Sequence, residues 1–414
     1  MRVLVGFLLA QAVSITGSRL SLVALPWFVL QTSGSPALTG VVTFVEMAPY
    51  VAVKLFGGPA IDRMGARRAT VGADVLSVVA VGAVPVLHAA GALPLAPLLA
   101  LVAVAGALRA QSDAAKQVLF PGVVTLSGVP MERAAGLNDG VNRLGSMLGA
   151  PLGGALVALL DAPTVLVVDA ASFGVGALVV AATVPLSAQS DRAPTDGYLA
   201  DLRAGWAFVR TQPLLRAIVV MVCATNLLDA AWSPLLLAVW AQQRGGGPTA
   251  LGLVLGAFSA GAVVAALAAS AWGHRLPRHR TYRWSFLLAG VPRFAVLALP
   301  VPLWVVVAVF AASGLGAGFL NPFLAAAEYE RVPRALQARV FGLMAGLAWA
   351  GIPFGSLLAG LGVDLVGFTA VALGCGAAYL LVTLDPFVRP VWRQIDRAPD
   401  RTGAPRRGAA PARR

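Results

Sequence analysis

The sequence predicts an all-α membrane protein: twelve transmembrane helices in two pseudo-symmetric six-helix bundles. Three observations carry this. The 414 residues are 58% hydrophobic and only 12% charged, whereas a soluble chain carries about 25% charge. A soluble globule of this size needs a polar skin that such a composition does not supply. The apolar residues fall into twelve continuous runs, each near the length of about 20 residues that crosses about 30 Å of hydrocarbon. Basic residues gather in alternate gaps between those runs. The ten-residue alternation of a β-barrel is missing.

In chain order the runs cover 4–30, 38–57, 69–90, 95–118, 138–160, 164–186, 215–240, 249–272, 283–301, 303–326, 339–361 and 365–387. The first continues past Trp27 without a small-residue cleavage site, so it reads as a span and not as a signal peptide. The ninth and tenth meet at Pro300-Val301-Pro302, which predicts a tight turn.

Arg63, Arg67 and Arg68 lie between runs two and three, and Arg133 between four and five. Arg192, Arg203 and Arg210 follow between six and seven, with Arg216 at the start of run seven. Arg275, Arg278 and Arg280 separate eight from nine; Arg331, Arg334 and Arg339 separate ten from eleven. The other gaps hold almost none, Arg244 excepted. Basic loops stay on the cytoplasmic side. The expected location is therefore the inner membrane, with both termini cytoplasmic.

The longest internal polar stretch divides the chain. The expected organisation is an N-terminal bundle at 1–187, a cytoplasmic linker at 188–214, a C-terminal bundle at 215–388 and a basic, disordered tail at 389–414. Within the linker, 199–210 is amphipathic and suits the membrane surface. The tail suits anionic lipid as a partner. The net charge of +13 thus belongs to topology, and no nucleic-acid partner is expected.

Several function classes drop out. No Gly-x-x-x-x-Gly-Lys phosphate loop occurs. His88, His274 and His279 form no metal constellation, and Cys223 and Cys375 read as buried thiols. No Ser-His-Asp or Cys-His arrangement is present. The chain is expected to be no enzyme, to bind no metal or cofactor, and to draw on a proton gradient as a monomer.

The halves repeat one pattern. Gly149-Ala150-Pro151-Leu152-Gly153 in run five matches Gly351-Ile352-Pro353-Phe354-Gly355 in run eleven. Val129-Pro130 and Val332-Pro333 precede them at nearly equal spacing. Two six-helix halves related about the membrane normal place a substrate path at their interface.

The loop Gly58-Pro59-Ala60-Ile61-Asp62-Arg63-Met64-Gly65-Ala66-Arg67-Arg68 resembles the major facilitator signature between helices two and three. The resemblance implies the major facilitator fold and a charge latch, built on Gly58, Asp62, Arg63, Gly65, Arg67 and Arg68, that stabilises one access state. Gly145, Gly149, Pro151, Gly153 and Gly154 resemble the family's antiporter motif in helix five. Leu22 to Trp27, Val168 to Phe173 and Gly318 to Pro322 resemble the twelve-span drug:proton antiporter branch that includes macrolide and enterobactin exporters.

A charge at the bilayer centre costs roughly 2.5–3.5 kcal/mol on insertion scales and faces the bundle interior. Arg19, Glu46, Asp229 and Arg293 lie mid-span, and Arg109 lies in the inner half of run four with Asp113 one turn on. Glu46 and Asp229 are the expected proton-coupling carboxylates, with Arg19, Arg109 and Asp113 as partners. An alternative is a permanent ion pair, Glu46 with Arg19, and a local Arg109–Asp113 pair at i,i+4. Lys54, Asp74, Lys116, Asp139 and Arg143 lie near the cytoplasmic ends and are expected to snorkel or pair at the interface. Asn226, Trp232, Arg293, Asn321 and Phe323 are candidate substrate-cavity residues, with Trp240, Phe258 and Trp349 beside them. These readings predict secondary active, proton-coupled efflux of a small amphipathic substrate by alternating access. The alternatives are an importer or uniporter on the same fold, or a non-transporting receptor or scaffold.

Overall fold

The computed structural model describes residues 1–186, 198–244, 246–272, 275–333 and 336–396. The expected tail beyond 396, the middle of the linker and His274 lie outside the described residues. Among the described residues there is no strand.

The first half comprises α1 (Arg2–Ser33), α2 (Pro36–Phe56), the short α3 (Gly58–Met64), α4 (Ala66–Ala89), α5 (Leu95–Ser127), α6 (Met131–Leu160) and α7 (Ala162–Thr183). α8 (Tyr198–Thr211) leads to the second half: α9 (Pro213–Ala231), α10 (Leu237–Gln243), α11 (Gly247–Trp272), α12 (Arg278–Ala298), α13 (Leu303–Arg331), α14 (Gln337–Trp349), α15 (Ile352–Val366), α16 (Phe368–Thr383) and α17 (Asp385–Val388). A π-turn at Trp232–Leu236 joins α9 to α10. A 3-10 segment, Pro390–Asp396, ends the described chain; its Trp392 and Ile395 are buried, so this stretch differs from the disordered tail expected from 389.

Boundaries follow local chemistry. The Ser35 side chain accepts from the Leu38 N–H at 3.2 Å, and Pro36 supplies the fixed φ of a first helical position. Gly34 (φ 68) ends α1 in the left-handed conformation. Two counterpart turns share one unusual backbone: Asp161 (φ 91, ψ 162) between α6 and α7, and Gly367 (φ 87, ψ 158) between α15 and α16. Asp161 holds this strained geometry while its carboxylate caps the Thr164 N–H at 2.7 Å.

The chain is a multi-pass membrane protein. Among the described residues 10 helices are long and apolar enough to cross a membrane, or 11 if α6, bent by 41° near Pro151, counts as one span. The expected span 283–301 falls on α12, which carries Arg278, Arg280, Arg283 and Arg293. Composition alone does not mark α12 as a span. The expected surface helix of the linker is α8, whose Gly205 lies against the Arg339 backbone just ahead of Phe341 on α14 and whose Trp206 is exposed.

α1, α2 and α4–α7 pack on one another, as do α9 and α11–α16. The repeated glycine pattern does the same packing in each half. Gly149 and Gly153 of α6 face Arg19, Leu20 and Val23 of α1; Gly351 and Gly355 face Cys223 and Leu227 of α9. The halves meet where α2 runs along α15 and α6 along α11. A Cβ on Gly154 would stand 2.4 Å from the Gly252 Cα, and one on Gly40 would stand 2.5 Å from the Ser356 carbonyl. Ser35 Oγ and the Ala37 N–H each donate to Asp364 at 3.3 Å. These tight contacts cluster toward the end of the molecule that carries Gly34. Nearer the opposite end, Tyr50 of α2 stacks on Trp349 of α14 at 6.0 Å.

Candidate functional site

Two acid–arginine pairs lie deep in the molecule, one per half. In the first, Arg109 on α5 donates to Glu46 on α2 at 2.7 Å, and its other nitrogen lies 3.7 Å from Asp169 on α7. Ser21 of α1 also donates to Asp169. The side chains of Arg109 and Glu46 are 7% and 3% exposed, and that of Asp169 is fully sealed. Gly106, one turn before Arg109, lets α5 approach the Glu46 backbone so closely that a Cβ would stand 2.1 Å from its carbonyl oxygen. A cavity of about 20 Å³, enough for one water molecule, adjoins Glu46, Arg109 and Ser21 and is otherwise walled by apolar side chains such as Leu25, Val81 and Val102.

This geometry differs from both alternative pairings. Glu46 pairs with Arg109 and not with Arg19, which is exposed. Arg109 does not close on Asp113. Asp113 instead accepts from the Tyr50 hydroxyl at 2.9 Å, which accepts from Lys54 at 3.2 Å. Lys54 lies over the Trp349 ring at 4.3 Å, so it bridges to the second half and does not snorkel.

A third charged group corrects the interfacial placement of Asp74 and Lys116. Both are buried inside the first half, 3.3 Å apart. Ser112 donates to Asp74 at 2.5 Å and Lys116 donates to Ser14 at 2.9 Å. Lys116 follows Arg109 by two helical turns on one face of α5. Asp139 is exposed, and the Arg143 side chain lies outside the described residues.

In the second half Arg293 of α12 donates to Asp229 of α9. Their exposures differ sharply: 3% for the Arg293 side chain, 39% for that of Asp229. Trp232, at the start of the π-turn, is buried against Arg293, Phe258 and Phe310. π-Turns recur at functional sites.

The remaining expected cavity residues separate. Asn226 donates to the Ala348 carbonyl at 2.9 Å and ties α9 to α14. Phe323 is buried and stacks on Phe319 at 6.4 Å, while Asn321 is exposed. Trp240 is buried in the core. Phe323 and Trp240 are therefore packed in this structure.

In the signature loop Gly65 (φ 83) makes the turn between α3 and α4. Arg67 donates to the carbonyls of Val184 and Ala181 at 2.6 and 2.7 Å, capping the end of α7. Arg63 and Arg68 are exposed and Gly58 opens α3; the Asp62 side chain lies outside the described residues. In the helix-five motif, Gly145 faces Ile15 of α1 and Gly154 crosses to the second half, as does Pro151, against Gly256.

Asp169 was not among the expected ionisable residues, although it is the one acid in the run 164–186. The mid-span rule that singled out Glu46 applies to it equally. Asp74 and Lys116 carried no such signal, because they fall near the ends of the apolar runs 69–90 and 95–118.

Residues 2–402 match the family described as transmembrane secretion effector. The multidrug efflux pump Tap of Mycobacterium tuberculosis is 28% identical over 397 residues, covering 95% of this chain and 94% of the pump. Tap of Mycolicibacterium fortuitum is 28% identical over 390 residues, covering 92% and 94%. Among solved structures, the nucleoside transporter NupG superposes with a TM-score of 0.73 at 12% identity, covering 94% of this chain and 98% of NupG. At that identity the likeness concerns the fold.

Proposed function

This chain belongs to the transmembrane secretion effector family of the major facilitator transporters, and from that membership we propose that it exports small amphipathic, drug-like molecules across the inner membrane in exchange for protons. Its relatives named as multidrug efflux pumps support the cargo. The two halves rock about the space between them, so that it faces one side of the membrane and then the other. The basic loops support a cytoplasmic position for both termini.

The observation that carries coupling is the placement of one mid-span acid–arginine pair in each half, Glu46–Arg109 and Asp229–Arg293. A carboxylate inside a membrane protein is costly unless paired. Protonation of the acid releases its arginine, and that change of charge biases the packing of the half around it. In the first half Asp169 stands ready to take the released Arg109.

The test uses the full chain in proteoliposomes under an imposed pH gradient, with a panel of dyes and macrolides as cargo. Substrate-driven proton movement is expected for the wild type. Glu46→Gln and Asp229→Asn are each expected to lower gradient-driven transport at least tenfold. Full driven transport by both variants refutes the coupling assignment; the absence of any cargo-driven flux refutes export.

A further inference from the structure

Arg293 has a second holder besides Asp229. Its guanidinium carbon lies 4.6 Å from the centroid of Trp232, 5.3 Å from Tyr379, 5.4 Å from Phe294 and 5.9 Å from Phe258. Four ring faces within about 6 Å are a cation–π box, and such contacts strengthen when the cation is desolvated. The box is built into the helix packing. Gly290 lies one turn before Arg293, and a Cβ there would stand 1.8 Å from the Tyr379 ring. Gly376 likewise clears Phe294. Two glycines thus bring α16 and α12 together around the cation.

Asp229 is the less tied partner. Its Oδ1 accepts from Arg293. Its side chain is 39% exposed although it lies mid-span. It shares a half-buried stripe of α9 with Val222 and Asn226, continued by Ser233. That stripe runs into the π-turn, which meets α1 and α2 of the first half. Asp229 is therefore open on one side and lies one helical turn from where the π-turn meets the first half.

The geometry points to Asp229 as an exchangeable seat for a lipophilic organic cation, with Arg293 as its tethered resident. When such a ligand arrives, Asp229 transfers its pairing to the ligand and Arg293 remains held by the rings. A buried arginine without that box would be stranded by the exchange, at the cost of an unpaired buried charge. Only ion pairing and hydrogen bonds change hands, and no covalent bond is made or broken. The ligand has one positive charge and an aromatic or bulky apolar body, which Trp232 and Phe258 flank. This inference names the cargo class of the export reading above and rests on it.

The experiment measures equilibrium binding of radiolabelled tetraphenylphosphonium, and of neutral chloramphenicol as the comparison, to the purified full chain. Asp229→Asn is expected to shift the ratio of the two affinities at least tenfold against the cation. Arg293→Met, which removes the resident, is expected to tighten cation binding several-fold. Tyr379→Leu and Arg293→Lys, which weaken the box and keep the charge, are expected to loosen cation binding with little change for chloramphenicol. An unchanged ratio in Asp229→Asn, or weaker cation binding in a folded Arg293→Met, overturns the seat. Should Arg293→Met not fold, an unchanged cation affinity in Arg293→Lys and Tyr379→Leu overturns it. A wild type that transports its cargo while the variants shift no ratio refutes the seat alone. A wild type that binds neither probe and moves no cargo refutes the export reading with it.

Discussion

Arg109 and Arg293 each neutralise a carboxylate inside the membrane, but their surroundings differ. Arg109 lies between two acids, Glu46 and Asp169, with one ring, Phe173, at 6.0 Å. Arg293 has one acid and four rings. The acid of the first pair is sealed, while that of the second is open on one side. The first half continues this polarity inward through Ser112, Asp74, Lys116 and Ser14. The second half surrounds its pair with Trp232, Phe310 and Tyr379. Duplicated architecture has thus kept its helix packing and diverged in its interior: one half stores charge, the other presents it.

The sharpest way to break this comparison is to remove each arginine. Arg109→Leu strands Glu46 and Asp169 without a cation, and breaking a buried pair costs about 3–5 kcal/mol. Arg293→Leu is expected to cost clearly less, because Asp229 is open on one side. Thermal unfolding of the two purified variants checks this, and equal losses would remove the distinction between sealed and open pairs. If packing is what the halves share, glycine substitutions must hurt both. Gly149→Leu and Gly355→Leu are each expected to cost about 1–3 kcal/mol by overpacking. Gly355 should lie at the upper end, because its Cβ would meet the Leu227 carbonyl at 2.0 Å, whereas Gly149 meets the Arg19 side chain. A neutral result for either, by the same unfolding measurement, would show that the repeated pattern packs only one half.

The smallest expected effect concerns Glu328, beyond the span in α13. Burial pushes its carboxyl from the ordinary 4.5 up to about 7. The native protein then holds this proton more tightly than the unfolded chain does. The stabilisation is complete below about pH 4.5 and is lost as pH rises toward 7. Glu328→Gln is expected to flatten that slope in unfolding scans between pH 4 and 8. An unaltered slope would mean that Glu328 is already ionised in the native protein. Its neighbour Glu330, bonded to Arg278 at 2.8 and 2.9 Å, offers the paired counterpart on the same helix.

Much of the fold was legible along the chain. Apolar runs of spanning length, basic gaps and the two Gly-x-Pro-x-Gly patterns each report on a local property: burial in lipid, retention at one side, close helix approach. The apolar run 283–301 reads as a span, although the arginines of α12 lower its hydropathy. Mid-span charges announced the site, because lipid penalises them wherever they fall. Their partners were not announced. Sequence proximity and depth offer Glu46–Arg19 and Arg109–Asp113 as alternative pairs, but the contacts that form join residues 63 and 60 positions from Arg109, on α2 and α7.

Composition and periodicity determined by themselves that this chain lies in a membrane, that its two halves repeat, and that a few ionised residues must turn inward. Only the packing of helices decided which acid meets which arginine, that Asp74 and Lys116 are interior, and that Asp229 stays open where Glu46 is sealed. The reason is geometric. Hydrophobicity is summed along a helix and survives any rotation of its neighbours. An ion pair depends on the azimuth of two helices at once, and a change of one residue in register or about 100° in rotation dissolves it.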